Sequence, residues 1–336
     1  MSKAIGWVIA ATVVGLVVPA GAVTSLVWVS GHTQQLVDAT RVDAFTPSDA
    51  ITDHIDRDGM SAEGTRLYLA SRPEVLASTD FDTQCGASDP GFGILGCYRP
   101  STQRIYLFDV TDKRLDGTEE VVAAHEMLHA AWDRTSPAQQ ERTAVLLEAA
   151  FAKQKKGSEL VDRIAAYQKK DPSSRIPELY AILGSEVPDL GDALEADYGR
   201  FFTDRSVVTG LHTTSNRVFV QLEAKATSLG KKLDSLKTSI TSGKKTFDKK
   251  LSGLNAAIKS FNVRARTPGA FASQGAFDAE RNTLVDRNSA LKKLRSTINT
   301  EAKTYNKTLK SLRALNAKAA DLYSGINIDT DALPEL

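Results

Sequence analysis

A heptad pattern in the C-terminal third constrains this chain more than any other feature. From Leu222 to Phe261 apolar or small residues recur in alternating three- and four-residue steps, and a second such run extends from Leu284 to Leu322. That spacing draws an apolar stripe along a helix and requires a second helix to cover it. Each run contains two consecutive four-residue steps, centred at Phe247 and at Ile298, the mark of a stutter that locally unwinds a supercoil. An antiparallel hairpin with Phe261 opposite Leu284 sets Phe247 opposite Ile298, so the two irregularities coincide. The intervening NVRARTPGAFASQGAF carries the Pro268-Gly269 turn signal and belongs at the tip.

Charge separates this arm from the rest. Between Arg217 and Tyr323 there are 22 Lys plus Arg against 8 Asp plus Glu, a net +14, whereas the whole 336-residue chain nets only +1. The remainder is therefore acidic. Flanking positions of a coiled coil ordinarily pair opposite charges, and here acids are too few for that. Anionic cell-envelope polymers, anionic lipid headgroups or an acidic protein are the expected partners of the arm, and nucleic acid is not. A solvated spacer, or an arm folded over the chain's own acidic body, are the alternatives.

The first thirty residues carry no charge after Lys3, and the run from Ile5 to Val29 suffices, at about 1.5 Å per helical residue, to cross a hydrocarbon core about 30 Å thick. Ala20-Gly21-Ala22 after Pro19 fits a signal-peptidase site. The apolar run resumes through Val29, with Trp28 at an interfacial position, which favours an uncleaved anchor. Lys3 before the span and Asp38 and Asp43 after it suggest a cytoplasmic N-terminus, hence a single-pass membrane protein with its remaining chain extracytoplasmic. Cys85 and Cys97 are the two cysteines and close a short Gly-rich loop. In an exported chain they read as a disulfide, worth roughly 3 kcal/mol by loop entropy.

Between anchor and arm the sequence reads as a mixed body. ITDHIDRDGMSAEGTRLYLA suggests a helix, a Gly turn and a short strand over Leu67 to Ala70. RIYLFDV, Arg104 to Val110, is β-branched and aromatic and reads as a strand. Thr118 caps the next helix, with Glu119 and Glu120 in its first turn. Further helices are expected from Pro137, Glu159, Pro177 and Asp192.

The helix after Thr118 carries VVAAHEMLHAAWDR. The chain has only five histidines, and His125 and His129 stand here four apart with Glu126 between them. Histidines at that spacing share a helical face and can bind one ion, while the glutamate reaches the metal's water. The surrounding Val121, Val122, Ala124, Leu128 and Ala131 are apolar, a costly setting for two imidazoles and a carboxylate without a compensating metal. A chance match on a buried helix is the alternative. An elongated HExxHxxGxxH motif would need Gly and His where Trp132 and Thr135 stand, so that subclass fails. His212 is a late candidate for the third ligand. The better stretch is SSRIPELYAILGSEV, with Glu178 opening a helix and Glu186 closing it.

HEMLH followed downstream by PELYAILGSE resembles the gluzincin metallopeptidases, in particular the branch containing anthrax lethal factor and the Mlc titration factor. The resemblance covers about Arg104 to Arg205. It implies a zincin-like fold, a bound Zn2+ and peptide-bond hydrolysis. Glu178 matches the family's third zinc ligand, with Glu186 the alternative, and Leu179-Tyr180 stands where the family has an aromatic doublet. Tyr167 matches a tyrosine that assists the reacting oxyanion. On that resemblance, a zinc-activated water would attack the scissile carbonyl with Glu126 as general base, and a peptide or protein substrate would pair with an edge strand upstream of the motif helix, the position expected of RIYLFDV.

The expected fold class is α+β: an N-terminal transmembrane helix over 1–30, a stalk over 31–50, a zincin-like metallopeptidase domain with a small sheet over 51–212, an antiparallel α-helical coiled-coil hairpin over 213–325, and a tail over 326–336. The expected function is a membrane-anchored extracytoplasmic zinc metalloendopeptidase. The alternative is a non-catalytic, zinc-stabilised binding or scaffold protein acting through its basic coiled coil.

Overall fold

A computed structural model describes residues 33–86 and 94–326. Serine caps start the first helices. After α1, helical over 33–43, Ser48 accepts the Ile51 N–H at the start of α2 (Asp49–Arg57), and Ser61 accepts the Gly64 N–H at the start of α3 (Ala62–Ala70). Then follow β1 (Glu74–Leu76), α4 (Ser78–Cys85), β2 (Gly96–Arg99), β3 (Arg104–Phe108) and α5 (Thr118–Asp133). The remaining helices are α6 (Pro137–Phe151), α7 (Glu159–Lys170), α8 (Arg175–Glu186), α9 (Asp192–Tyr198), α10 (Arg205–Ala265) and α11 (Gln274–Ser324).

The three strands lie in the order β1-β3-β2. Ile105 N–H bonds the Ser71 carbonyl and Asp109 N–H the Leu76 carbonyl. The pairing thus advances in the same sense on both chains, and β1 runs parallel to β3. Phe108 N–H bonds the Leu95 carbonyl and Thr102 N–H the Arg99 carbonyl, which makes β2 and β3 an antiparallel hairpin. RIYLF is therefore a strand, but the central one, with Ile105 to Phe108 buried. The edge role expected of it falls to β1 and β2.

Contacts divide the chain into two compact units. The first holds residues up to Val75, Tyr98–Tyr106 and Ala123–Val207. Its core gathers Tyr68, Ile105, Met127, Leu128, Tyr180, Tyr198 and Phe201, all fully or almost fully buried. Leu67 to Ala70 belong to helix α3, not to the expected strand. The expected Gly turn falls at Gly59, whose φ is +61°, and Gly64 lies inside α3, where it lets the backbone of Phe201 approach: a Cβ there would collide with the Phe201 carbonyl oxygen. Ser61 N–H bonds the same carbonyl at 2.8 Å.

The second unit holds Leu76–Cys97, Leu107–Val122 and the chain from Val208. Cys85 and Cys97 are joined in a disulfide within it. Its helices α10 and α11 form the antiparallel hairpin. Phe219 stacks on Tyr323 at 5.1 Å near the base, Ser239 donates to Glu301 midway, and Leu254, Phe261, Leu284 and Leu291 cluster towards the tip. The turn is held by three rings, Phe261, Phe271 and Phe277, with centroids 5.0–5.6 Å apart. Gly243 lies against Ile298, so close that a Cβ would sit 3.0 Å from Ile298 Cγ1, while Phe247 packs into the tip cluster one turn away. The side chain missing at Gly243 leaves a hole, and Ile298 fills it.

Two parts of the expected fold class are corrected. The described residues are 76% helical with a small sheet, so the fold is mainly α rather than α+β. Among the described residues no helix is long and apolar enough to cross a membrane. The run expected to do so, Ile5 to Val29, lies outside the described residues, and the single-pass membrane location with an extracytoplasmic catalytic domain is not supported.

Gly64→Ala tests the close approach in the first unit. Urea denaturation should show a loss of about 2 kcal/mol, the usual scale of overpacking, although alanine is otherwise the better helix former. A neutral or stabilising change would mean that α3 does not press on Phe201.

Candidate metal centre

The site is built on α5 and α8. Ala123, Ala124, Met127, Leu128 and Ala130 are fully buried, so α5 runs through the core of the first unit. His125 and His129 are half-buried on one face, and Glu126 beside them is buried. Helix α8 is buried from Leu179 to Ser185. Arg175 holds its first turn, donating to both carboxylate oxygens of Glu148 at 2.7 and 2.8 Å and lying over the Phe151 ring. At the other end Arg205 donates to the Val187 and Gly184 carbonyls at 2.7 and 3.1 Å and pairs with Glu195. These bonds occupy carbonyls that a helix C-terminus leaves without an intrahelical partner.

Gly184 sets the distance between the two helices. A Cβ there would lie 2.5 Å from Leu128 Cδ1 and 2.6 Å from Tyr198 Cε1. With only hydrogen at that position, α8 settles onto α5. Aromatic packing continues the contact: Trp132 of α5 meets Tyr180 of α8 at 5.0 Å, and Tyr180 meets Tyr198 of α9 at 5.0 Å. Tyr180 donates to Asp197 at 2.8 Å, and Tyr198 donates to the Tyr180 carbonyl at 2.8 Å.

The result brings Glu178 to the histidines. The two Nε2 atoms of His125 and His129 are 3.1 Å apart, and the Glu178 carboxylate oxygens lie 3.7 Å from each. The three ligand atoms of this group lie within 4.8 Å of one another. For zinc bonds of about 2.0–2.1 Å, tetrahedral ligand atoms stand roughly 3.4 Å apart; the nitrogens lie 3.1 Å from each other, and the 3.7 Å contacts run from His125 to one Glu178 oxygen and from His129 to the other. Glu178 Oε2 is buried and makes no hydrogen bond. A buried carboxylate oxygen without a donor is costly, and a cation in this position removes the cost. The donor set, two imidazole nitrogens and a carboxylate, fits a divalent ion with one position left open.

Electrostatics follow from burial. Desolvation holds His125 well below its ordinary pKa, helped by His129 and Arg163, and brings His129 down to about 4. Both imidazoles are thus neutral at neutral pH, the form that donates to a metal. Burial pushes Glu178 up to about 7 against the pull of Arg163, with Glu186 adding a smaller push. Glu126 is raised well above the usual carboxylate range by burial and then by Glu178, while the Tyr98 backbone N–H, donating to it, acts the other way.

Glu186, the other candidate third ligand, is engaged elsewhere. Both its oxygens accept from Arg163 of α7 at 2.5 Å. Tyr167, one turn along α7, is raised above the ordinary phenol range by burial and by Glu178, with smaller contributions from Glu126 and Glu186. It therefore stays protonated within electrostatic reach of the site. His212 lies on α10 and is not part of the cluster.

The sequence reading gave Tyr98, Arg134, Asp38 and Gly184 no part in the site. Tyr98 donates its hydroxyl to Asp133 at 2.7 Å and accepts from Arg134, and Arg134 forms a two-pronged bond to Asp38 at 2.9 and 3.0 Å. Asp38 is buried, so the polar segment read as a stalk is docked at the end of α5. An aspartate four residues after Gln34, in a helix-compatible stretch, was the available signal, and it names no partner. No family model, curated protein or solved structure matches the chain.

Gly184→Ala should separate α8 from α5. We expect a stability loss of about 2 kcal/mol by urea denaturation, and a crystal structure of the variant should show Glu178 drawn back from both Nε2 atoms. An unshifted Glu178 would mean that Leu128 and Tyr198 absorb the methyl group.

Proposed function

We propose that the chain is a zinc-dependent metallopeptidase of the gluzincin type, with His125, His129 and Glu178 as ligands and Glu126 as general base. The observation that carries this reading is the convergence of two neutral imidazoles and a buried carboxylate oxygen lacking a hydrogen bond, with a further carboxylate adjacent on the same helix. When bound, zinc supplies Lewis acidity to a substrate carbonyl and acidity to water. The chain's residues supply the rest. Glu126 combines a raised proton affinity with a backbone donor at its carboxylate, which suits a group that takes a proton and then returns it to a leaving amine. Tyr167 retains its proton and offers a donor to developing negative charge.

Substrate would lie along β2 rather than β3. The strand is at an edge of the sheet, and its Tyr98 N–H already points at Glu126. An extended peptide adding to such an edge is recognised mainly through its backbone. The scaffold reading, with a purely structural metal, accounts less well for Glu126, since structural zinc sites usually close all four positions with protein ligands.

The deciding experiment measures bound metal and cleavage of an unfolded protein substrate. His125→Ala, His129→Ala and Glu178→Ala should each lose the metal, and Glu126→Gln should keep it and lose activity by at least about a hundredfold. Glu186→Ala should weaken metal binding less, because Glu186 acts through Arg163. Proteolysis surviving in Glu126→Gln would refute the mechanism, and a wild-type chain without stoichiometric zinc would refute the site.

Metal affinity should also depend on pH in a defined direction. Below about 7 the Glu178 carboxyl of the metal-free protein is protonated and must release that proton to bind. Affinity therefore rises with pH through that value and levels off above it. Competition against a chelator at pH 6 and pH 8 should show weaker binding at pH 6, and equal affinities would place the ligand elsewhere.

A further inference from the structure

The hairpin carries an inference independent of the metal centre. Of the 22 basic residues from Arg217 to Tyr323, all but Arg264 are exposed. Arg264 pairs with Glu280 at the tip. With 8 acids in the same span, a net +14 is left along the hairpin. At about 1.5 Å per residue the paired arms extend roughly 75 Å, or about one net charge every 5 Å. That spacing is shorter than the ~8 Å Debye length at physiological ionic strength. Neighbouring charges therefore repel through the solvent, and a linear polyanion relieves the repulsion along the whole length.

How the charge is distributed narrows the partner. Lys231-Lys232, Lys244-Lys245, Lys249-Lys250 and Lys292-Lys293 are adjacent pairs. Successive residues on a helix project about 100° apart, so each doublet spreads its charge around the rod instead of lining one face. A helix that lies on a lipid surface has the opposite design, with basic residues on one side and an apolar face on the other. Here the apolar face is spent on the helix partner: Leu222, Ala226, Leu233, Leu254 and Phe261 are buried in the seam. The Cys85–Cys97 disulfide belongs to oxidising compartments, where acidic polysaccharides rather than nucleic acids are the common linear polyanions.

We propose that the hairpin binds an acidic linear polysaccharide, whose regularly spaced carboxylate, sulfate or phosphate groups meet lysines from around the rod. Binding of this kind releases counter-ions and weakens steeply with salt.

The test uses the full chain and heparin as the probe, by isothermal titration between about 0.05 and 0.3 M NaCl, a range that spans the physiological Debye length. Affinity should fall at least about tenfold across that range. The variant Lys244→Gln, Lys245→Gln, Lys249→Gln, Lys250→Gln keeps good helix formers at exposed positions. It should bind at least about tenfold more weakly with a shallower salt slope, while circular dichroism and bound zinc stay unchanged. Absent binding at the lowest salt, or an unaltered variant, would overturn the proposal in favour of a solvated spacer. Tighter binding to phosphatidylglycerol vesicles or to duplex DNA at equal anionic charge would overturn it in favour of a membrane or a nucleic acid. Zinc content reads the metal centre separately, so failure of one reading does not touch the other.

Discussion

Glu178 and the histidine pair come from helices separated in sequence by all of α6 and α7, and what lets them meet at 3.7 Å is the missing side chain at Gly184. Two packed helices ordinarily keep their axes 8–10 Å apart, by an amount the contact residues decide. Leu128 and Tyr198 occupy the space that a Cβ at Gly184 would need. The aromatic layer of Trp132, Tyr180 and Tyr198 then fixes the rotation of α8, and Arg175 and Arg205 hold its two ends. The position of Glu178 is thus a product of packing well away from the carboxylate itself.

Some of this was legible in the sequence. The i, i+4 histidines on an apolar helix, the acidic first turn of α5 and the heptad arms are local patterns, and local patterns survive folding because neighbours along a helix are neighbours in space. The PELYAILGSE stretch was legible as a helix, and Leu179 to Ser185 are buried within it. What failed were statements about distant partners. Leu67 to Ala70 resembles a strand by composition, yet the Ser61 cap and the Phe201 backbone hold it in a helix. RIYLF read correctly as a strand, but which neighbours it has depends on β1 and β2 together. The close seat of Ile298 against Gly243 is a cross-seam contact that the heptad spacing alone does not name.

The polar segment before Ser48 shows the same limit from another side. Its composition fits solvent, yet Asp38 is buried against Arg134. A desolvated ion pair of this kind contributes modestly when intact and costs several kcal/mol when one partner is removed. Through Tyr98 the pair also ties β2 to the end of α5. The strand that meets Glu126 is therefore held at both its backbone and its side chain.

The aromatic cap of the hairpin bears on how that arm forms. Phe261, Phe271 and Phe277 are close in sequence, so bringing them together closes only a short loop, whereas most of both helices lies between Phe219 and Tyr323. Loop-closure entropy makes the first contact cheap and the second expensive unless the intervening seam already exists. Loop-closure entropy therefore favours assembly that starts at the far end and zips towards the base, each turn closing on the one before. A long pairing is thereby built from a series of local steps, which keeps its effective contact order low and its kinetics those of a helical protein.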